Sequence, residues 1–363
     1  MALHYMDSFD HYLTAELNEK GWTLDSPTTK CNIGAYGRNA TNGIRIKIDS
    51  NLQGGVYRSL NSNCATLIAG AAYYSAGAVG CLPSPGNQLP AMFQFIDTAQ
   101  IALAMAAVPL TGQIAVYGHL TSLPWTCTLL GITPVAAGRT LAPNTWYYVE
   151  LKAVIHPAAG SFEIRVNGVS WLAVAGINTS SSLGNAWVNA FRLNTGSGGG
   201  WVGVYSQYDD LYLCDGLGAV NNDFLGDHRV VALQTDADGF YLDWTPTAGA
   251  RWDCVTGVSP NHDAKYVHSL TPAEKGTFSM QPIGVAGTVA GVHVLANARK
   301  DDAGARTIRN MLRSGGVDSF GANQAIGNAF SYYRDVYDVN PFTAAAFTTA
   351  EIDAMEFGVD EVV

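Results

Sequence analysis

The chain has 363 residues, enough for two domains of ordinary size, and its formal net charge is −10 at pH 7. That charge argues against a nucleic-acid backbone or an anionic membrane surface as the main partner. Charged residues make up only 14% of the chain and 39 residues are glycine, a composition typical of many short strands joined by turns. No window of 18 uninterrupted apolar residues occurs, so we predict no membrane insertion.

Alternating apolar and polar residues predict antiparallel strands in the first half of the chain. Residues 44–48 alternate isoleucine with basic side chains directly after an Asn-Gly turn. Residues 146–172 contain three such stretches, and the second turn between them is formed by Asn167 and Gly168, which both tolerate a positive φ. This pattern predicts a three-stranded antiparallel meander.

The stretch 59–138 contains a single formally charged residue, Asp97. Charge depletion is typical of the cores of subunit interfaces, whereas the free surface of a monomer normally carries charge for solubility. Strands buried inside a sandwich are the alternative explanation. We predict that part of this stretch faces a neighbouring subunit in a homo-oligomer, a trimer or a hexamer.

A domain boundary is predicted near residues 216–224, which are rich in turn-forming residues and interrupt the strand pattern. We therefore expect one domain in residues 1–218 and a smaller second β-sandwich in residues 219–363. The strands predicted for the second domain cover residues 230–233, 240–244, 264–269, 276–280, 289–298 and 329–336. Residues 236–239 (Asp-Ala-Asp-Gly) predict a hairpin turn. The one helix we expect covers residues 349–355, with Thr348 or Thr349 as its N-cap.

The six cysteines are widely scattered and form no Cys-x-x-Cys or Cys/His cluster, so we predict buried free thiols and no zinc site. The eight histidines form no recognisable pair with a serine or cysteine elbow, which disfavours nucleophilic catalysis. The first residues lack the basic and apolar regions of a secretory signal, so we expect synthesis in the cytoplasm, where thiols stay reduced.

Several segments of the first half resemble the concanavalin-like, or laminin-G-like, jelly roll. Residues 146–151 (Trp-Tyr-Tyr-Val-Glu-Leu) and 162–168 (Phe-Glu-Ile-Arg-Val-Asn-Gly) resemble its W-x-x-V-E-x…G…x-V-x-V-N-G pattern. Residues 209–213 (Asp-Asp-Leu-Tyr-Leu) resemble the strand that follows it. Residues 7–12, leading to Trp22, resemble the first strand of such domains in bacteriophage structural proteins. The resemblance implies an all-β protein that begins with a concanavalin-like jelly-roll sandwich.

The second half is similar to segments of phage virion proteins. These segments are residues 223–230 with 244–246, residues 298–304 and the ending 347–359. The resemblance implies a structural component of a tailed-phage virion, in the tail, a fibre or another appendage, made in the host cytoplasm. Its implied partners are copies of itself, other virion proteins and host-surface glycan, with no nucleic acid and no membrane insertion.

Glu351, Asp353 and Glu356 form an E-x-D-x-x-E segment, which resembles the catalytic signature of a retaining glycosidase family with a concanavalin-like sheet. In that family a bulged strand places both glutamates on one face, as nucleophile and acid/base, about 5–5.5 Å apart. Here the segment lies outside the recognised jelly roll and predicts a helix that leads into a strand, so the two glutamates should diverge. We predict that the protein is not an enzyme and keep these three residues as the catalytic alternative.

Asp209, Asp210 and Asp215 cluster on one predicted strand, and laminin-G-like domains sometimes bind Ca²⁺ at the sandwich rim. Ca²⁺ takes six to eight oxygen ligands, whereas adjacent side chains on a strand point to opposite faces, so at most one of Asp209 and Asp210 should enter a given site. We expect one of them to bind backbone at the start of the strand. We predict no cofactor and no metal ion, and we keep calcium as the alternative.

Trp201, beside a glycine-rich turn, is the aromatic side chain that we expect to be exposed, and it is our candidate for glycan binding. Together these features favour a structural virion protein that contributes to host attachment through weak glycan contacts summed over several copies. Two alternatives stay open. One is a capsid decoration or collar protein that binds virion proteins alone. The other is a polysaccharide-binding or glycan-cleaving protein that uses the E-x-D-x-x-E segment.

Overall fold

The computed structural model describes residues 2–25, 30–47, 54–76, 92–98, 100–108, 111–122, 125–135, 138–194 and 205–362. In this part of the chain nearly all regular structure is β-strand, and the strands pair antiparallel. The all-β prediction is therefore confirmed. The chain divides into two compact units, one formed by Ala2–Asn18 and Trp22–Val230 and the other formed mainly by Glu19–Gly21 and Val231–Val363.

The first unit contains fifteen described strands. They are β1 (Leu3–Asp7), β2 (Thr23–Leu24), β3 (Cys31–Gly34), β4 (Gly43–Lys47), β5 (Gly55–Cys64), β6 (Thr66–Ala76), β7 (Phe93–Asp97), β8 (Gln100–Ala107), β9 (Ile114–Ser122), β10 (Trp125–Ile132), β11 (Trp146–Val154), β12 (Gly160–Val166), β13 (Val169–Ile177), β14 (Val188–Asn194) and β15 (Tyr205–Asp215). Two short 3₁₀ helices, Thr14–Glu16 and Arg38–Ala40, lie between them.

Two antiparallel sheets form the jelly-roll sandwich of the first unit. One has the order β13-β12-β11-β6-β15-β4-β3 with β1 added beside β15, and the other has the order β10-β9-β8-β7-β14-β5-β2. Aromatic side chains join them: the ring of Phe93 in β7 lies 6.3 Å from that of Tyr208 in β15, and both are fully buried. The concanavalin-like sandwich expected from the resemblance is thus the architecture of this unit.

The predicted meander is present in β11, β12 and β13. Neighbouring strands pair antiparallel, for example Leu151 with Ile164, and Asn167 and Gly168 form the second turn with φ values of 48° and 76°. Apolar side chains of alternate positions therefore enter the core, while polar ones such as Glu150 lie on the outer face.

Where the structure describes it, the charge-poor stretch forms the end of β5 and the strands β6 to β10. Every residue of β7 and most residues of β8 are buried, on both faces of the strand. Burial inside one chain is therefore sufficient to explain the missing charges in these two strands. Asp97, the single charge, is buried and accepts a hydrogen bond from the Ser181 hydroxyl at 2.6 Å. The predicted subunit interface stays a prediction.

Residues 219–230, which we call the covering segment, lie over the outer face of the larger sheet in the first unit. The backbone N of Gly226 donates to Glu150 at 2.8 Å, and Lys152 pairs with Asp223 at 2.9 Å. Contacts of this kind group the covering segment with the first unit.

The second unit contains ten described strands and two short α-helices. The strands are β16 (Thr235–Leu242), β17 (Thr245–Pro246), β18 (Val267–His268), β19 (Lys275–Met280), β20 (Val292–Ala298), β21 (Thr307–Ser314), β22 (Val317–Phe320), β23 (Gln324–Ala325), β24 (Ser331–Tyr337) and β25 (Glu356–Val362). The helices are α1 (Arg251–Cys254) and α2 (Thr349–Ala354), and a 3₁₀ helix spans His262–Ala264.

The core of the second unit lies between a six-stranded sheet and a two-stranded ribbon. The sheet has the order β16-β19-β25-β21-β22, with β23 beside β21, and the ribbon consists of β20 and β24. Val294 of the ribbon packs with Leu312 and Phe357 of the sheet and with Ile352 of α2. This unit is the smaller β-sandwich that the sequence predicted.

Local predictions in the second unit had mixed outcomes. The helix is confirmed, since α2 begins after the N-cap Thr348, whose hydroxyl accepts from the backbone N of Glu351. The predicted strand at 230–233 is absent from the described structure, and the predicted turn at 236–239 is wrong. Those four residues lie within β16, which contains a bulge between Asp238 and Leu242.

Candidate functional site

The carboxylates of the E-x-D-x-x-E segment serve the local fold. Glu351 is the third residue of α2, and it accepts hydrogen bonds from the backbone N of Thr348 at 2.8 Å and from its hydroxyl at 2.9 Å. Asp353 accepts from the backbone N of Ile283 at 2.8 Å. The hydrogen bonds from Thr348 lower the pKa of Glu351, whereas a general acid at neutral pH needs a raised one.

The three aspartates of the calcium alternative lie at two places. Asp215 ends β15 near the rim of the sandwich, while Asp209 and Asp210 lie at a bulge of the same strand, where Asp210 has a φ of 51°. Because the bulge breaks the alternation of side chains, both Asp209 and Asp210 face Arg38. The backbone N of Arg38 donates to Asp209 at 2.9 Å and its guanidinium to Asp210 at 2.5 Å. The alternation that we expected does not hold at this bulge.

Arg38 is the centre of a buried charge cluster. Its guanidinium also pairs with Asp227 of the covering segment at 2.5 Å, so Arg38 contacts three carboxyl groups, two through its guanidinium and Asp209 through its backbone N. Burial raises the pKa of Asp209 to about 8, and the charge of Asp210 adds to the shift. This cluster therefore keeps a proton near neutral pH, and it ties the covering segment to the sheet.

A histidine, a cysteine and an aspartate that are remote in sequence converge at one rim of the first unit. His4 lies in β1, Cys64 ends β5 and Asp215 ends β15, and their ligand atoms all lie within 4.8 Å of one another. Nε2 of His4 and Oδ2 of Asp215 are 2.6 Å apart. Hydrogen bonding to Cys64 and to Asp215 raises the pKa of His4 to about 9, against the effect of burial. No spacing pattern in the sequence reveals this group, because only strand pairing brings its members together.

Aromatic and basic side chains alternate across one face of the six-stranded sheet of the second unit. We call this set the cation–aromatic strip; it consists of Phe240, Tyr241, Lys275, Arg309, Arg313 and Phe320. The guanidinium of Arg313 lies 4.1 Å from the ring centre of Phe240, and that of Arg309 lies 3.8 Å from the ring centre of Phe320. At these distances a cation is attracted to the face of the ring. Phe240 is nevertheless 62% exposed.

The bulge in β16 carries Phe240 and Tyr241 over the face of the sheet. The backbone N of Phe240 donates to Oε2 of Glu356 at 2.7 Å, and the backbone N of Tyr241 donates to the hydroxyl of Thr277 at 2.9 Å. Glycine is needed just before them, because a Cβ at Gly239 would lie 2.8 Å from the backbone carbonyl carbon of Thr277. Glu356 and Thr277 thus position the aromatic side chains of the strip.

Two aspartates hold the polar groups of the strip in place. Asp318 accepts a hydrogen bond from the hydroxyl of Tyr241 at 2.5 Å and pairs with Arg313, and Asp360 pairs with Arg309 at 2.6 Å. Although burial acts to raise it, hydrogen bonds from Tyr241 and Arg313 lower the pKa of Asp318, so this carboxylate stays charged. The strip is therefore a fixed arrangement rather than a set of free side chains.

Trp201, our sequence candidate for glycan binding, lies outside the described residues. The strip was missed because its members come from four separate strands, and because Phe240 follows residues that predicted a turn. The one local signal was the pair Phe240-Tyr241 directly after Asp-Gly, an aromatic pair next to a position that permits close backbone approach.

No protein-family model matches the sequence, and no curated protein is similar to it. Among solved structures, one that is similar to this chain is alginate lyase Aly36B in complex with an alginate trisaccharide. The match covers 55% of this chain and 90% of the lyase chain, with 14% sequence identity and a TM-score of 0.38. A second similar structure is the CBM2 module of the evolved Dit protein of Lactobacillus casei BL23 phage J-1. The match covers 59% of this chain and 96% of the module, with 11% sequence identity and a TM-score of 0.36. A third is the family GH16 endo-β-1,3(4)-glucanase SCLam. The match covers 59% of this chain and 90% of the glucanase chain, with 12% sequence identity and a TM-score of 0.37.

Similarities of this size carry no information on activity or ligand. Within the described residues, no helix has both the length and the apolar character needed to cross a membrane.

Proposed function

We propose that this protein is a non-enzymatic structural component of a tailed-phage virion, located in the tail, a fibre or another appendage, and that it binds host-surface glycan. The observation that carries the glycan-binding part is the cation–aromatic strip of the second unit. The assignment to a phage particle rests on the resemblance of the C-terminal segments to virion proteins.

The strip has the chemistry that sugars require. An exposed aromatic face such as that of Phe240 stacks on the apolar face of a sugar ring. The fixed forks of Arg309 and Arg313 present several N–H donors to hydroxyl or carboxylate oxygens. Because hydrogen bonds and ion pairs already hold these side chains, binding costs little ordering entropy.

The geometry favours binding over cleavage. Glu351 is held at the N-terminus of α2, whereas Glu356 is held by the backbone N of Phe240 and by Thr277. The segment therefore provides no raised-pKa acid at Glu351, and Glu356 supports the strip. A protein with this arrangement binds a polysaccharide chain and leaves its glycosidic bonds intact.

Several copies of the protein would add their weak contacts. Among the described strands of the first unit, β10 lies at the edge of its sheet, and Leu129, Ile132 and Val135 on it and just after it are exposed. An unpaired apolar edge favours pairing with another chain, which supports a homo-oligomer. Light scattering should give the native mass of a trimer or hexamer, and Leu129→Lys should lower it. A monomer at micromolar concentration would contradict the oligomer.

The glycan part is tested by binding to purified lipopolysaccharide and purified wall teichoic acid. Phe240→Ala should weaken binding to the recognised polymer by about tenfold, the equivalent of about 1.4 kcal/mol. Phe342→Ala is the matched control, since Phe342 is 49% exposed in the same unit and is not part of the strip. Equal losses in both variants, or binding to neither polymer by the parent protein, would contradict the proposal.

Product analysis separates binding from cleavage. The parent protein should release no oligosaccharide from either polymer during prolonged incubation. Release that disappears in Glu351→Gln would establish the glycosidase alternative instead.

A further inference from the structure

The rim cluster of the first unit combines the three side-chain types that zinc prefers. Zn²⁺ is bound by cysteine sulfur, histidine nitrogen and carboxylate oxygen, and sites with three protein ligands keep a fourth position for water. His4, Cys64 and Asp215 supply one ligand of each type, with all ligand atoms within 4.8 Å of one another. We propose that these three residues form a Zn²⁺ site that joins the two sheets of the jelly roll.

The placement of the ligands supports a site that clamps the sandwich. His4 and Asp215 lie on adjacent strands of the larger sheet, tied together by a hydrogen bond from the backbone N of Asp215 to the carbonyl of Ala2 at 2.8 Å. Cys64 ends β5, which belongs to the other sheet. One ion bound by all three would therefore cross-link the two sheets at this rim.

Neighbouring groups contact two of the ligands and orient them, as hydrogen bonds from surrounding residues do for the ligands of zinc sites. The backbone N of Leu217 donates to Oδ1 of Asp215 at 2.8 Å, which leaves Oδ2 directed at His4. The Ser62 hydroxyl lies 3.6 Å from the sulfur of Cys64, within reach of a hydrogen bond to a thiolate.

Charge and access also suit a divalent cation. The Cys64 thiolate and the Asp215 carboxylate together neutralise Zn²⁺, so the occupied site carries no net charge at a largely buried position. The His4 side chain is 20% exposed, which gives the ion a path from solvent.

Binding replaces the hydrogen bonds of His4 to Cys64 and Asp215 with three coordination bonds. Cys64 and the imidazole of His4 release to solvent the protons that occupy their ligand atoms. Nε2 of His4 and Oδ2 of Asp215 then separate from 2.6 Å to about 3.3 Å, the spacing of two ligands with bonds of about 2.0 Å in a tetrahedral site.

Calorimetry with Zn²⁺ and absorption with Co²⁺ test the site in the full-length chain. A Cys127→Ser background removes an exposed thiol that could bind metal elsewhere. We expect one equivalent of Zn²⁺, a thiolate-to-cobalt charge-transfer band, and a rise in the melting temperature on metal addition. Cys64→Ser and Asp215→Asn should each weaken binding by on the order of 100-fold and remove that rise.

Cys254→Ser is the matched control, because Cys254 is a buried free cysteine in the second unit. It should leave the stoichiometry, the charge-transfer band and the affinity unchanged. Thermal unfolding in chelator shows whether each variant folds, so that loss of binding is not confused with loss of structure. Absence of the band in the parent protein, or equal affinity in folded Cys64→Ser, would show a hydrogen-bonded cluster without a metal and would overturn the proposal.

Discussion

The two units present similar side chains, with buried carboxyl groups in the first unit and a partly exposed carboxylate and an exposed aromatic ring in the second. On the outer face of the first unit's larger sheet, Arg38 lies among Asp209, Asp210 and Asp227 and 5.1 Å from the ring centre of Tyr148, all beneath or within the covering segment. On the second unit's six-stranded sheet, arginines, carboxylates and aromatic rings form the cation–aromatic strip, which is open to solvent at its outermost ring.

This difference separates a structural role from a binding role. Where the charges are buried, desolvation governs them, and the pKa of Asp209 rises to about 8. Where the carboxylate stays partly exposed, as in Asp318, hydrogen bonds and ion pairs prevail over burial, and its pKa falls. The same residue types therefore stabilise one unit and, in our account, provide the recognition surface of the other.

The largest effect should come from removing the cation that pairs with a buried carboxyl group. Arg38→Ala leaves the buried Asp210 without its ion-pair partner, so we expect a loss of about 3–5 kcal/mol of folding free energy. Lys275→Ala removes a looser pair in the strip, 3.7 Å from Asp318, and should cost less than about 1 kcal/mol. Urea unfolding followed by fluorescence measures both variants. Equal losses would show that burial does not distinguish the two faces.

A smaller effect should appear in the pH dependence of stability. The pKa of Asp209 is about 8 in the folded protein against 3.8 for a free aspartate, so between pH 4 and 8 the folded state keeps a proton that the unfolded chain has lost. Stability contributed by this proton is present at low pH and falls as pH rises to 8, with a slope of at most about 1.4 kcal/mol per unit. Asp209→Asn should remove that slope.

The matched control for Asp209 is Asp223→Asn in the covering segment. The hydrogen bond from Lys152 and its positive charge lower the pKa of Asp223, although burial opposes them. Its contribution is therefore present above the ordinary aspartate pKa and lost at acid pH, the opposite sign. Asp209→Asn should make the decline between pH 4 and 8 shallower than in the parent protein, and an unchanged slope would refute the assignment.

The smallest effect concerns the residue that positions the strip. Glu356→Ala removes the acceptor for the backbone N of Phe240, so glycan affinity should fall by about threefold through loss of preorganisation. Glu356→Gln should restore most of the affinity, because its amide oxygen accepts the same bond. Glu351→Gln, a change at the helix start, should leave affinity unaltered. If Glu351→Gln lost as much glycan affinity as Glu356→Ala, the positioning role of Glu356 would be ruled out.

Local patterns predicted the elements that depend on neighbouring residues. The meander of β11 to β13 follows from strict alternation and an Asn-Gly turn, and α2 follows from Thr348 with Glu351 three positions later. In each case the residues that specify the element are close together in the chain. The jelly-roll architecture came from the resemblance rather than from periodicity.

The functional groups depend on bulges and strand pairing, which local patterns do not encode. The bulge at Asp210 turns two adjacent carboxylates toward Arg38, and the bulge in β16 places Phe240 and Tyr241 over the sheet. His4 joins Cys64 and Asp215 through pairing across more than two hundred residues of sequence. The alternation of apolar and polar residues predicts neither the extra residue of a bulge nor the register between strands that are remote in sequence.

Hydroxyl-radical footprinting with and without saturating polysaccharide would show in one experiment which of the two faces binds the glycan. We predict protection of Phe240, Tyr241 and Phe320, and unchanged reactivity of the buried Tyr148 and Tyr212 in the first unit. Protection confined to the first unit, or no protection at the strip when the polysaccharide is bound, would contradict this prediction.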